Sequence, residues 1–116
     1  PGMKYRHYAP QGQLLLAPDY RAAEALRQRI LAEQGIEPLL LLSAESARQL
    51  LDRGLPPEQI LVWGRRDDLP AYAGQIFAAL RQADRRGARM IIAETVSDEG
   101  LGRAIMNRLQ KAASAE

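Results

Sequence analysis

The densest chemistry per position stands at the start of the chain, in PGMKYRHYAPQG. In an extended segment successive side chains alternate, which would place Lys4, Arg6 and Tyr8 on one side and Met3, Tyr5 and His7 on the other. Two cations and a phenol suit phosphate oxygens, whereas flat rings and a thioether suit stacking on a base or packing on a neighbour. Ten extended residues reach roughly 33–36 Å, enough to cross the mouth of an adjacent domain. A frayed and slightly basic terminus is the plain alternative. A second candidate is Gly100-Leu101-Gly102 at a helix start, where free backbone N–H groups could hold an anion. The third glycine of a dinucleotide fingerprint is replaced there by Ile105, and close packing of the helix on the sheet would explain the same two glycines. The first strand-to-helix turn reads LLAPDY without any glycine, which speaks against nicotinamide-dinucleotide binding. Trp63-Gly64-Arg65-Arg66 joins an aromatic to two cations, and reads as a half-buried Trp beside a solvated turn or as a docking patch. With no cysteine and only His7, thiolate chemistry, zinc and iron-sulfur sites and Cys/His nucleophile pairs are excluded within this chain. No Ser/His/Asp or paired-carboxylate set can be argued, so no catalytic residue and no metal ligand is assigned.

The elements that must position these residues follow from alternating apolar and amphipathic stretches. Residues 1–12 have neither helical nor strand periodicity and carry Pro1, Gly2, Pro10 and Gly12, the composition of an extended arm or linker. From residue 13 to 116 four strand-helix units follow. Leu14–Leu16 is a strand; Asp19 caps a helix burying Ala22, Ala23, Leu26 and Ile30, which stops at Gly35. Leu39–Leu42 is a second, continuously apolar strand, as expected when both faces are covered. Ser43 caps a helix with Ala47, Leu50 and Leu51 inward, ended by Gly54. Ile60–Trp63 is the third strand. Asp67 or Asp68 opens a helix with Pro70 in its first turn and Ala73, Ile76, Phe77 and Leu80 as its stripe, closed by Gly87. Met90–Ala93 is the fourth strand. Ser97, Asp98 and Glu99 open a last helix, placing acids at the positive end of its dipole, with Leu101, Ala104, Ile105, Leu109 and Ala112 inward.

Such a repeat implies parallel strands, right-handed crossovers and helices on both faces: an α/β, Rossmann-like three-layer sandwich. An order of 3-2-1-4 puts the topological switch point between strands one and four. The expected crevice is then lined by Ala17-Pro18-Asp19 and Glu94-Thr95-Val96-Ser97, with Gly100 and Gly102 nearby.

Charge separates arm from body. The chain has 16 Lys plus Arg, 14 Asp plus Glu and a pI near 9.3. There is no acid in the first twelve residues, and setting aside Lys4 and Arg6 leaves the remainder balanced. A balanced body lacks the clustered basic face of a nucleic-acid-binding domain, and no direct nucleic-acid binding is expected. A hydrophobic fraction of 47% fits a soluble globule. The longest strongly apolar run, Leu39–Leu42, is far short of a membrane span, and there is no secretory h-region; a cytoplasmic location is expected. Residue 1 is Pro, with the first Met at position 3, and the simplest reading is a piece of a longer polypeptide.

Two motifs then carry a family resemblance. Pro1-Gly2-Met3-Lys4-Tyr5-Arg6-His7-Tyr8-Ala9-Pro10 resembles the interdomain linker of the two-domain threonylcarbamoyl-AMP synthases. Ala73, Phe77, Leu80-Arg81, Asp84, Ala93-Glu94 and Gly100-Leu101-Gly102-Arg103-Ala104-Ile105-Met106-Asn107-Arg108-Leu109 resemble that family's C-terminal domain, with Ile76 where the pattern tends to have Leu. Residues 13–66 are generic α/β sequence. The resemblance implies a parent enzyme that converts L-threonine, bicarbonate and ATP into threonylcarbamoyl-adenylate for a tRNA modification. It places ATP and Mg in an N-terminal catalytic domain, which would be the main partner, with no cofactor in residues 1–116 themselves. By carry-over, Lys4, Tyr5, Arg6, His7 and Tyr8 approach the nucleotide or close its site, and the chain alone would be inactive. Two rival readings remain from the residues: a small-ligand or nucleotide sensor using the crevice, and a scaffold docking other tRNA-modification proteins through Arg65-Arg66 or the last helix.

Overall fold

A computed structural model of the chain describes residues 10–96 and 99–114, and the linker residues Lys4, Tyr5, Arg6, His7 and Tyr8, together with Ser97, lie outside them. The element order is β1 (Gln13–Ala17), α1 (Tyr20–Gln34), β2 (Leu39–Ser43), α2 (Ala44–Asp52), a 3₁₀ turn (Pro57–Gln59), β3 (Ile60–Gly64), α3 (Leu69–Arg85), β4 (Met90–Glu94) and α4 (Leu101–Ser114). Start and stop chemistry is local. Asp19, Ser43 and Asp68 cap α1, α2 and α3 by accepting from the backbone N–H groups of Ala22, Ser46 and Ala71. Gly35 ends α1 at φ 69°, a left-handed conformation that a side chain would strain.

Four parallel strands form one sheet, and alternate side chains feed two cores. Leu14, Leu39, Leu41, Leu61, Trp63, Ile91 and Ala93 face α3 and α4. Ala17, Leu40, Leu42, Ile60, Met90 and Ile92 face α1 and α2. The α/β three-layer architecture is thus the expected one.

The sheet order is β1-β4-β2-β3, or 3-2-4-1 from the other edge. Relative to the expected 3-2-1-4, β1 and β4 exchange the last two places. Right-handed crossovers permit both orders, so chirality could not choose. Burial explains the result: Met90–Glu94 is buried at every position, as a central strand demands, whereas β1 exposes Gln13 and half-exposes Leu15 and Leu16. β1 and β4 remain neighbours, and β4 gains β2 on its other side.

Two helical stripes are rotated from expectation. In α2, Leu51 is exposed and Ser46 is buried; in α4, Leu101 and Ala104 are exposed while Gly102 and Met106 are buried. Trp63 is fully buried rather than half-buried, its ring tilted 56° against Tyr72 at a centroid distance of 4.0 Å. A register shift at Leu42/Ser43 sets Ser43 opposite Gly64, whose φ of 134° only glycine adopts easily.

At the opposite edge, where β1 begins, the chain is clasped to the α3–β4 turn. The Gln11 N–H donates to Asp84 Oδ1 at 2.7 Å and the Gln13 N–H to the Arg89 carbonyl at 2.9 Å. Between them Gly12 lies so close to the Ala88 carbonyl that a Cβ would sit 2.2 Å from its oxygen.

Candidate functional site

The carboxyl ends of the four strands meet around Glu94. It is the last residue of β4 and only 1% exposed. Leaving a carboxylate there is costly unless its oxygens are satisfied and its charge is answered. Both conditions are met. Oε1 accepts from the Ser43 backbone N–H at 2.8 Å; Oε2 accepts from the Ser46 hydroxyl at 2.7 Å and from Nη1 of Arg66. The same Nη1 donates to the Thr95 carbonyl at 3.1 Å. One side chain therefore ties β4 to the end of β2, the first turn of α2 and the loop after β3.

That loop is held from a second direction. The Arg66 backbone N–H donates to Glu45 Oε1 at 3.1 Å, an acid in the first turn of α2. Asp68, two residues on, caps α3. Arg65 by contrast points to solvent and forms a bidentate pair with Asp67, which raises its guanidinium pKa through the hydrogen bonds and the adjacent charge.

Above this ion pair lies an open crevice of about 370 Å³ lined by Asp19, Tyr20, Glu45, Ser46, Gln49, Arg66 and Glu94. Tyr20 forms one wall, and the Arg53 guanidinium carbon lies 5.2 Å from its ring centroid. On the far side of the sheet the Tyr72 hydroxyl and Trp63 Nε1 are buried without a hydrogen-bond partner among the described residues. Burial, reinforced by the charge of Glu94, pushes the Tyr72 phenol well above its ordinary range.

The sequence-derived crevice residues are placed as follows. Asp19 and Glu94 come together. Thr95 is half-buried beside them, its N–H on the Ala17 carbonyl at 2.9 Å and its own carbonyl on Arg66. Gly100 precedes α4 at φ 53° and Gly102 is buried in its first turn; neither lines the crevice. Sequence reasoning missed Tyr20, Glu45, Ser46, Gln49 and Arg66 as crevice residues. The detectable signal was Glu94 itself, an acid directly following the apolar run MIIA, which requires a buried cation and hydrogen-bond donors from elsewhere.

The crevice does not fit a magnesium nucleotide. Both Glu94 oxygens are committed to donors, no group of three His, Asp or Glu side chains converges among the described residues, and the β1–α1 turn has no glycine-rich phosphate loop. No helix among the described residues is long and apolar enough to cross a membrane.

Comparison with known proteins gives a consistent answer. Residues 1–114 match the family described as threonylcarbamoyl-AMP synthase, C-terminal domain. The chain is 38% identical to the threonylcarbamoyl-AMP synthase of Schizosaccharomyces pombe, covering 98% of this chain and 29% of that protein. It is 36% identical to those of Pyrococcus abyssi and Bacillus subtilis, with 97% of this chain and 31% of each relative covered. Among solved structures, a crystal structure of P. abyssi Sua5 complexed with L-threonine superposes with a TM-score of 0.71 at 33% identity, over 99% of this chain and 32% of that one. The chain spans about a third of the length of these relatives. With the family model matched along almost its whole length and the same fold in a solved relative, the chain belongs to the threonylcarbamoyl-AMP synthase C-terminal domain family.

Proposed function

We propose that this chain is the non-catalytic C-terminal part of a threonylcarbamoyl-AMP synthase, together with the linker that covers the parent's active site. The parent would join L-threonine, bicarbonate and ATP into threonylcarbamoyl-adenylate, releasing pyrophosphate, and so feed the threonylcarbamoyl modification of a tRNA adenosine. The observation that carries this reading is the family match over residues 1–114, which includes the arm. In this reading ATP, Mg²⁺ and L-threonine are held by the other two-thirds of the parent, its N-terminal catalytic domain. Residues 13–116 act as an anchor, and residues 1–12 as the strap that the anchor holds.

The clasp supports the anchoring role. Gln11, Gly12 and Gln13 are fixed to the end of α3 and the turn before β4 by the Asp84 carboxylate, a backbone hydrogen bond to Arg89 and close packing on Ala88, so the chain leaves the sheet from a held point. A strap that must order two cations and three rings over a nucleotide loses less entropy when its root is fixed. Lys4, Arg6 and Tyr8 would then face phosphate oxygens, with Tyr5 and His7 packing on the other side.

The test uses the full-length parent. Replacing Lys4, Arg6 and Tyr8 together by Ala is expected to lower kcat/KM for adenylate formation by roughly a hundredfold, the scale of several lost phosphate contacts, with an unchanged melting temperature. Unchanged kinetics would overturn the strap role. Pyrophosphate release by residues 1–116 alone, given ATP, L-threonine and bicarbonate, would overturn the non-catalytic assignment.

A further inference from the structure

The crevice at Glu94 carries binding chemistry that anchoring a strap does not use. Its most specific feature is the state of Arg66. Nη1 is consumed by Glu94 and the Thr95 carbonyl, while Nε and Nη2 have no partner among the described residues. The side chain is 40% exposed and lines the crevice. Nε and Nη2 form the edge of a guanidinium that matches a carboxylate in two parallel hydrogen bonds. Because buried Glu94 holds the other edge, that fork is already oriented, and a ligand need not immobilise a free arginine.

The rest of the lining limits what can bind there. Arg66 neutralises Glu94. Asp19 spends Oδ1 on the α1 cap and Glu45 spends Oε1 on the Arg66 N–H, and the second oxygen of each has no partner among the described residues. A purely anionic ligand such as phosphate would meet Arg66 but also two spare negative charges. A plain cation would meet the acids but leave the Nε and Nη2 donors of Arg66 without an acceptor. A molecule carrying both charges a few ångströms apart satisfies both sides. The remaining lining, the Tyr20 ring and the Gln49 amide, offers an apolar wall and a hydrogen-bonding group to a small side chain. A crevice of about 370 Å³ has the size for a ligand of this class.

We propose that this crevice binds a free α-amino acid, its carboxylate on Nε and Nη2 of Arg66, its ammonium between Asp19 and Glu45, and its side chain toward Tyr20 and Gln49. The site goes beyond the proposed function and does not depend on it: it lies at the carboxyl edge of the sheet, whereas the arm is rooted at the opposite edge, roughly 15 Å away along five-residue strands.

The test is an NMR titration of the ¹⁵N-labelled 116-residue chain with glycine, L-alanine, L-threonine and L-glutamine, and separately with acetate, ethylammonium and phosphate. Saturable amide shifts at Tyr20, Ser46, Gln49 and Arg66 are expected with at least one amino acid. Acetate and ethylammonium should each bind at least about tenfold more weakly, since each keeps only one of the two charge contacts. Arg66→Lys keeps the charge but loses the fork and should weaken binding at least about tenfold. Asp19→Asn retains the helix cap while removing a charge, and should weaken binding without loss of folded signal. No saturable shift with any of the amino acids up to tens of millimolar overturns the proposal. Tighter binding of phosphate at the same amides does too, as does binding unaffected in both variants. None of these outcomes bears on the kinetics of the arm variants in the parent.

Discussion

Two buried polar side chains, Glu94 and Tyr72, sit on opposite faces of the sheet and make opposite contributions. Glu94 is charged and saturated: two serine-derived donors and Arg66 leave neither oxygen unpaired. Glu94→Ala would leave the buried Ser43 N–H and Ser46 hydroxyl without their acceptor and release one edge of Arg66. It is expected to cost about 1–3 kcal/mol, the penalty for buried groups left without a partner, since Arg66 at 40% exposure regains solvent, read as a lower urea midpoint. Tyr72 is neutral and unsatisfied, its hydroxyl without a partner among the described residues. Tyr72→Phe removes only that oxygen and is expected to raise stability by about 1 kcal/mol, the low end of the penalty for a buried unpaired group. The same pair of proteins has a pH signature. The folded phenol keeps its proton beyond the ordinary value near 10, so its contribution is fully present below that pH. Above it stability falls as pH rises, because the unfolded chain ionises and the folded one cannot. Unfolding free energy measured between about pH 9 and 11 should therefore fall more steeply in the unsubstituted chain than in Tyr72→Phe; parallel slopes would show that Tyr72 is not held neutral by the fold.

Among the elements, the caps were readable and the buried faces only partly so. Asp19, Ser43 and Asp68 act at the positions their types and the following periodicity indicate. Asp19→Ala is expected to destabilise by about 1 kcal/mol and Asp19→Asn by almost nothing, because both the native and the Asn side chain accept from the Ala22 N–H; thermal melts of the two variants check this. The stripes behaved differently. In α4 the centre of the buried face, Ile105, Leu109 and Ala112, was legible from spacing. Ala104 and Met106 flank Ile105 by about 100° on either side, and periodicity alone gives no reason to bury one rather than the other. The sheet chose Met106, which lies 6% exposed, and left Ala104 outside. In α2 the same choice buried Ser46 in place of Leu51, and the reason is Glu94, whose Oε2 takes the Ser46 hydroxyl.

Across the whole molecule, two contacts distant in sequence organise the fold's two edges. The clasp at Gly12 brings the start of the chain against the turn before β4, and Glu94 draws the far ends of β2, β3 and β4 together. Gly12→Ala would drive a methyl into the Ala88 carbonyl, a rigid backbone atom, and is expected to cost about 1–3 kcal/mol, the scale of overpacking a tight contact, seen as a lower melting temperature. Local patterning determined a great deal by itself: four apolar runs, four amphipathic helices with the caps of the first three, parallel pairing, and a crevice beside Asp19 and Glu94. Those features follow from side-chain chemistry and from periods of two and 3.6, which need no knowledge of distant residues. The family was legible as well, through the arm and the Gly100–Leu109 stretch. What only the tertiary structure decided was which strand lies in the middle and which cation answers Glu94. LLL and MIIA are equally apolar, and right-handed crossovers accept either at the centre. Once β4 occupies that place, its terminal carboxylate is enclosed by β2, α2 and the loop after β3, and Arg66, 28 residues away in sequence, becomes its counter-charge. A buried charge must be paired wherever it falls, but the partner is set by the packing order, and that order is a property of the assembled sheet.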